Sequence, residues 1–141
     1  MKRQEKFPNT DCFVYENLNP KGKVTTDCVV RATCKALNKP YTDVYQDMFG
    51  FSINSGLHLN DKKFLKKYLG HLGYGMHKQP KHKDNTKYTA REFAKEFNKG
   101  IYIVSICKHI TVIVDGKIHD IWDCSDKAVG NYWKIRGGCL V

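Results

Sequence analysis

The spacing of apolar residues changes at Gly100, and this single change limits the folds that the chain can adopt. Before Gly100, apolar residues recur at intervals of about 3.6 residues, the period of a helix with one buried face. After Gly100 they run without interruption, as in Ile101 to Ile106, or alternate with polar residues, as in strands. Helices that precede an antiparallel sheet define the α+β class. We therefore predict N-terminal helices packed on a C-terminal antiparallel sheet.

Turn and capping residues divide the first part of the chain into helices. The sequence Thr89-Ala90-Arg91-Glu92 has the pattern of a capping box, and Gly50 is expected to end a helix that Pro40 opens. Four helices are predicted, over residues 26–38, 40–50, 60–69 and 89–100.

The pattern of the chain after Gly100 predicts strands. The pair Asp115-Gly116 between two apolar runs predicts a hairpin with a two-residue turn. The predicted strands are residues 101–106, 109–114, 117–122 and 131–135, with a further short strand around residues 12–15.

The length of 141 residues fits one domain, residues 1–141, with a largely irregular segment 1–22 and a flexible tail 136–141. No apolar run approaches the roughly 20 residues that span a bilayer. The charged start leads into Phe7-Pro8 and not into an apolar stretch, so no signal peptide is predicted. We therefore expect a cytosolic monomer without membrane association.

The formal net charge of +10 would attract nucleic acid or an acidic partner. The positive residues are dispersed and are mostly Lys, which is typical of solvated helix faces, so a dedicated nucleic-acid site is not favoured. The basic stretch 76–88 is read in the same way, as a solvated loop between helices.

The six cysteines, at positions 12, 28, 34, 107, 124 and 139, form no Cys-x-x-Cys pair. Cys28 follows Thr25-Thr26-Asp27 at the predicted start of the first helix. Unpaired backbone N–H groups and the positive end of the helix dipole favour a thiolate there. Cys34 and Cys107 lie inside apolar segments and are predicted to be small buried side chains.

His109 begins a predicted strand, and Asp120 and Asp123 follow on the next strand of the same hairpin. Either carboxylate could reach the imidazole. Their odd separation places them on opposite faces of a regular strand, so only one can orient the ring. A helix-start Cys, a His and a carboxylate are the groups of cysteine-based acyl transfer. From spacing alone, an ordinary helix-start Cys28 and an ordinary edge-strand His109 are the commoner arrangement.

Three segments carry a resemblance to a known family: Thr-Asp-Cys-Val-Val-Arg-Ala, Lys-His-Ile-Thr-Val-Ile-Val-Asp-Gly-Lys-Ile-His-Asp-Ile-Trp-Asp and Val-Gly-Asn-Tyr-Trp. They resemble small phage and prophage proteins with a papain-like cysteine peptidase fold and, more loosely, bacteriocin-processing peptidases. The resemblance implies a papain-like fold, with Cys28 as nucleophile, His109 as general base and Asp123 as orienting residue, Asp120 being second. It also implies a peptide or protein substrate, no cofactor or metal, and the cytoplasm of a bacterial host.

The chain departs from this family at the oxyanion hole. Such peptidases have a Gln several residues before the Cys, and no Gln lies between Lys6 and Cys28. Loss of one oxyanion donor costs about 10²–10³ in rate. The candidate substitutes are Asn17, Asn19, and the backbone N–H of Cys28 with a hydroxyl of Thr25 or Thr26.

Two other interpretations stay open. One is a non-catalytic basic protein on the same fold that binds nucleic acid or a host protein. The other is a zinc site from Cys107, His109, His119 and Cys124, although their spacing is not that of structural zinc knuckles.

Overall fold

A computed structural model describes residues 2–136, and within this range the chain forms five helices and five strands. The helices are α1 (Arg3–Lys6), α2 (Cys28–Leu37), α3 (Tyr41–Ser55), α4 (Phe64–His71) and α5 (Ala90–Glu96). The strands are β1 (Phe13–Tyr15), β2 (Ile101–Ile106), β3 (His109–Val114), β4 (Lys117–Asp120) and β5 (Tyr132–Arg136). The α+β class predicted from the periodicity is confirmed.

The five strands form one sheet in the order β1-β4-β3-β2-β5. All neighbouring pairs are antiparallel except β1 and β4, which run parallel, with Phe13 opposite Ile118. The C-terminal strands β2 to β5 are antiparallel as predicted, and the parallel pairing of the N-terminal strand β1 is an addition that the sequence did not predict. A three-residue strand carries too little pattern to reveal its partner, and the partner of β1 lies about a hundred residues further along the chain.

Helices cover both faces of the sheet. On one face α2, α3 and α4 enclose a core that includes Met48, Leu69 and Ile103, all with 0% exposure. On the other face α5 packs Phe93 against a second core that contains Ile113. The alternation of side chains along β2 and β3 supplies apolar residues to both cores, as expected of central strands.

The helix boundaries differ from the prediction most clearly in α3, which passes through Gly50 and ends at Gly56. Gly56 has φ +75° and donates its N–H to the Ser52 carbonyl over 2.9 Å, which is a helix C-cap. A glycine inside a helix costs only about 1 kcal/mol. Met48 before Gly50 is buried in the core, and Phe51 after it packs against the same core, which offsets that cost. The capping box is confirmed, because Thr89 and Glu92 exchange side-chain to backbone hydrogen bonds of 2.9 and 3.1 Å.

The N-terminal segment 1–22 contains α1 and β1 and is therefore less irregular than predicted. Arg136 belongs to β5, and the rest of the predicted tail lies outside the described residues. Among residues 2–136, no helix is both long and apolar enough to cross a bilayer.

We expect Ile103→Ala to lower the free energy of unfolding by about 2–5 kcal/mol, because it leaves a cavity in the central strand. Ile53→Ala is the matched control, since Ile53 is 66% exposed on α3. Its effect should stay within about 0.5 kcal/mol. Denaturant titration of both variants measures the difference, and equal effects would contradict the assignment of Ile103 to the core.

Candidate active site

Cys28 is the first residue of α2, where the backbone N–H groups have no partner within the helix. No acceptor among residues 2–136 lies in hydrogen-bonding position to the Cys28 N–H. The Asp27 side chain does not cap the helix. The helix α2 packs along β3 and β2, and its first residue interacts with His109 and Ile110 at the start of β3.

His109 is the first residue of β3 and follows a tight turn. Cys107 and Lys108 form this turn with φ of +27° and +57°. Two consecutive positive φ values match the twist of a two-residue hairpin turn. Because neither residue is glycine, this conformation carries backbone strain. The turn exposes Cys107, so the prediction that Cys107 is buried is wrong, whereas Cys34 is buried as predicted.

The His109 ring is hydrogen bonded to Asp120, the last residue of β4. The distance from Nε2 of His109 to Oδ2 of Asp120 is 2.6 Å, and the two side chains are 15% and 2% exposed. The indole of Trp122 packs edge-on against the imidazole, with ring centroids 5.0 Å apart. The ring is thus held on one edge by a carboxylate and on one face by an aromatic side chain.

Because Nε2 of His109 is hydrogen bonded to Asp120, the other ring nitrogen, Nδ1, is the one available to interact with the Cys28 thiol. Burial raises the pKa of this thiol, but interactions with the His109 ring, the Ile110 backbone and the Arg31 charge lower it by more. The pKa of Cys28 therefore lies below its usual value, which favours the nucleophilic thiolate.

The pKa shifts of His109 and Asp120 fit the same picture. Burial lowers the pKa of His109, but its hydrogen bond to Asp120 and its interaction with Cys28 raise it to about 9. Burial raises the pKa of Asp120, and the His109 and Arg31 charges lower it below its usual range. These directions favour the charged form of each group, namely the Cys28 thiolate, the His109 imidazolium and the Asp120 carboxylate.

The two candidate carboxylates occupy different positions. Asp120 contacts His109, whereas Asp123 lies beyond β4 and accepts the backbone N–H of Ser125 at 3.1 Å. The structure therefore brings Asp120, and not Asp123, into contact with the His109 ring. The strand ends at Asp120, and Asp123 lies in the irregular segment that follows it.

Arg31 completes the site and received no role in the sequence analysis. Its Nε donates to Oδ1 of Asp27 over 2.7 Å, and its Nη1 donates to Oδ1 of Asp120 over 2.9 Å. Oδ2 of Asp27 accepts hydrogen bonds from Tyr41 and Asn19. The only sequence signal for this network is the four-residue spacing of Asp27 and Arg31, which places them on one helix face.

The asparagines considered for the oxyanion hole hold the loop before α2. Asn17 donates to the Lys23 carbonyl at 3.0 Å, and Asn19 donates to Asp27 at 3.0 Å. Of the backbone and asparagine donors considered, the Cys28 N–H is the one that has no hydrogen-bond acceptor among residues 2–136.

Other candidate sites are separate from this one. Among residues 2–136, no group of three or more His, Cys, Asp or Glu side chains is arranged to hold a metal ion. Of the residues considered for zinc, His119 contacts Glu16 at 3.3 Å, and Cys107 is exposed. Two surface clefts of about 250 and 440 Å³ share Lys35 and Asn38 and lie towards the C-terminal end of α2, away from Cys28.

No family model, no curated protein and no solved structure matches the chain.

We expect Asp120→Asn to raise the pKa of Cys28, because His109 loses the anion that keeps it protonated. Asp123→Asn should leave the thiol unchanged. Alkylation of Cys28 by iodoacetamide as a function of pH, with the peptide quantified by mass spectrometry, measures both. A larger shift in Asp123→Asn would restore Asp123 as the orienting residue.

The titration of His109 predicts a pH dependence of stability that is simplest in Cys28→Ser, where no thiol titrates beside the ring. Because Asp120 raises the folded-state pKa of His109 above 6.5, its contribution to stability is fully present below pH 6.5. That contribution is lost as the pH rises through the folded-state pKa. Denaturant titrations should show this loss in Cys28→Ser and not in Cys28→Ser/His109→Gln.

Equal pH dependence of these two variants above pH 6.5 would mean that folding does not increase the proton affinity of His109. The serine background is needed because the lowered pKa of Cys28 acts with the opposite sign. Its contribution to stability is present above the unfolded-state pKa and is lost as the pH falls through the folded-state pKa.

Proposed function

We propose that this protein is a cysteine peptidase or a related thiol acyl hydrolase or transferase with a papain-like arrangement of its site. The observation that carries the proposal is that His109 interacts with the Cys28 thiol and hydrogen bonds Asp120 through Nε2. The order of a helix-start Cys, a strand-start His and a carboxylate on the next strand supports it. The resemblance to small phage proteins supports the same family and a bacterial host cytoplasm.

The proposed reaction begins with attack of the Cys28 thiolate on a carbonyl carbon. The backbone N–H of Cys28 would stabilise the oxyanion, and the His109 imidazolium would give its proton to the leaving group. The product is a thioester on Cys28. The neutral His109 would then take a proton from water, or from an acceptor amine, while that nucleophile attacks the thioester. This step releases the acyl group and regenerates the Cys28 thiolate and the His109 imidazolium.

Asp120 would keep the imidazole oriented and stabilise its charged form during this cycle. Trp122 would limit the movement of the ring. The substrate class that we propose is a peptide or protein, because the chemistry requires only a reactive carbonyl and the resemblance points to peptidases.

The pH profile of Cys28 alkylation tests the proposal directly. We expect the alkylation rate of Cys28 at pH 6 to remain a large share of its maximal rate. The exposed thiol of Cys107 is alkylated in the same sample and serves as the internal reference. His109→Ala should reduce the rate of Cys28 at pH 6 by about tenfold relative to its rate at pH 9.

Activity on a peptide thioester and on unfolded protein substrates provides the second measurement. Cys28→Ser should lower any hydrolysis by at least about 10³-fold. The enzyme proposal would be contradicted if the pH profile of Cys28 alkylation were that of an ordinary thiol and His109→Ala left this profile unchanged.

A second candidate function is supported by the basic surface of α4 and its preceding turn. Lys62, Lys63, Lys66 and Lys67 are all exposed, while the apolar residues between them are buried. A non-catalytic protein that binds an acidic partner or nucleic acid would use such a surface. DNA binding that weakens steeply with salt and that Cys28→Ser does not alter would favour this function.

A further inference from the structure

Arg31 is a buried cation between two buried anions. It is 6% exposed, while Asp27 and Asp120 are 7% and 2% exposed. Its guanidinium donates from Nε to Asp27 and from Nη1 to Asp120. Buried charges are retained in a folded protein only when they are paired and hydrogen bonded, so each of the three depends on the other two.

The Asp120 carboxylate is shared between Arg31 and His109. Its Oδ1 accepts from Nη1 of Arg31 at 2.9 Å and from the Ile121 N–H at 2.7 Å. Its Oδ2 is the atom that contacts Nε2 of His109. Rotation of the carboxylate away from His109 would therefore break the bond to Arg31.

The guanidinium is itself fixed from the opposite side. Asp27 holds its Nε, and Asp27 is held in turn by the hydroxyl of Tyr41 at 2.8 Å and the amide of Asn19 at 3.0 Å. A guanidinium presents its N–H groups in a rigid planar fork, so fixing one edge sets the direction of the other.

We infer that Arg31 is a positioning residue of the Cys28 site: anchored by Asp27, it holds the Asp120 carboxylate in place against His109. This inference rests on the proposed function, since it assigns a role within that site. It adds the chain of contacts by which the loop before α2 and the start of α3 control the orientation of His109.

The charges of this network alternate from Asp27 through Arg31, Asp120 and His109 to Cys28 in its thiolate form. Removal of Arg31 leaves Asp27 and Asp120 without a shared cation. Asp120 would then be free to turn or to take up a proton, and His109 would lose the anion that keeps it charged. The Arg31 charge also favours the Cys28 thiolate directly.

The experiment compares the pH profile of Cys28 alkylation in Arg31→Met, Arg31→Lys and Asp27→Asn/Arg31→Met. The double variant loses one negative and one positive charge, so it keeps the net charge of the network and stays informative if Arg31→Met does not fold. Lys35→Met is the control, because it removes a cation one turn further along α2 whose partner is Glu16. Circular dichroism confirms that each variant is folded.

We expect Arg31→Met and the double variant to lower the Cys28 rate at pH 6, relative to pH 9, by about tenfold. Lys35→Met should match the wild type, and Arg31→Lys should fall between them, since an ammonium restores the charge without the fork. A wild-type profile in the double variant, or full restoration by Arg31→Lys, would overturn the positioning role. Failure of the proposed function is distinguishable, because the wild-type chain itself would then show an ordinary thiol profile.

Discussion

The packing of α2 against the centre of the sheet is the interaction on which the site depends. Val30, Cys34 and Ala36 are buried in the same core as Ile103 and Val112. This contact fixes the position of the helix along the strands and so places its first residue beside the first residue of β3. The thiol and the imidazole meet because the same apolar contacts that stabilise the fold determine the relative position of α2 and β3.

A buried charge network is the second constraint. Burial of its charges costs free energy, whereas the apolar packing of α2 on the sheet stabilises the fold. Asp27, Arg31 and Asp120 lie in a region where an isolated charge would be strongly destabilising. Replacement of a buried ion network by apolar residues of similar volume is often neutral or stabilising. We infer that the network holds Asp120 in a fixed position and keeps it ionised. His109 requires such a carboxylate in the proposed reaction.

Much of the fold could be predicted from the sequence, because local signals match the final structure. The capping box at Thr89, the turn at Asp115-Gly116 and the apolar run from Ile101 each specify their element with short-range chemistry. The predictions failed where a distant partner decides. Gly50 stays helical because α3 packs on either side of it, and β1 pairs in parallel with a strand near the other end of the chain.

Local signals alone placed Cys28 in the first turn of a helix and His109 at the start of a strand, since the onset of helical apolar spacing after Asp27 and the hairpin turn at Asp115-Gly116 are short-range features of the sequence. It did not determine which carboxylate meets the ring, because that depends on where β4 leaves the sheet. It also left Arg31 without a role, although Asp27 and Arg31 share a helix face. Only the tertiary structure brings Asp120 to Arg31, because the packing of α2 on β3 and β2, and not sequence proximity, places the helix beside the sheet.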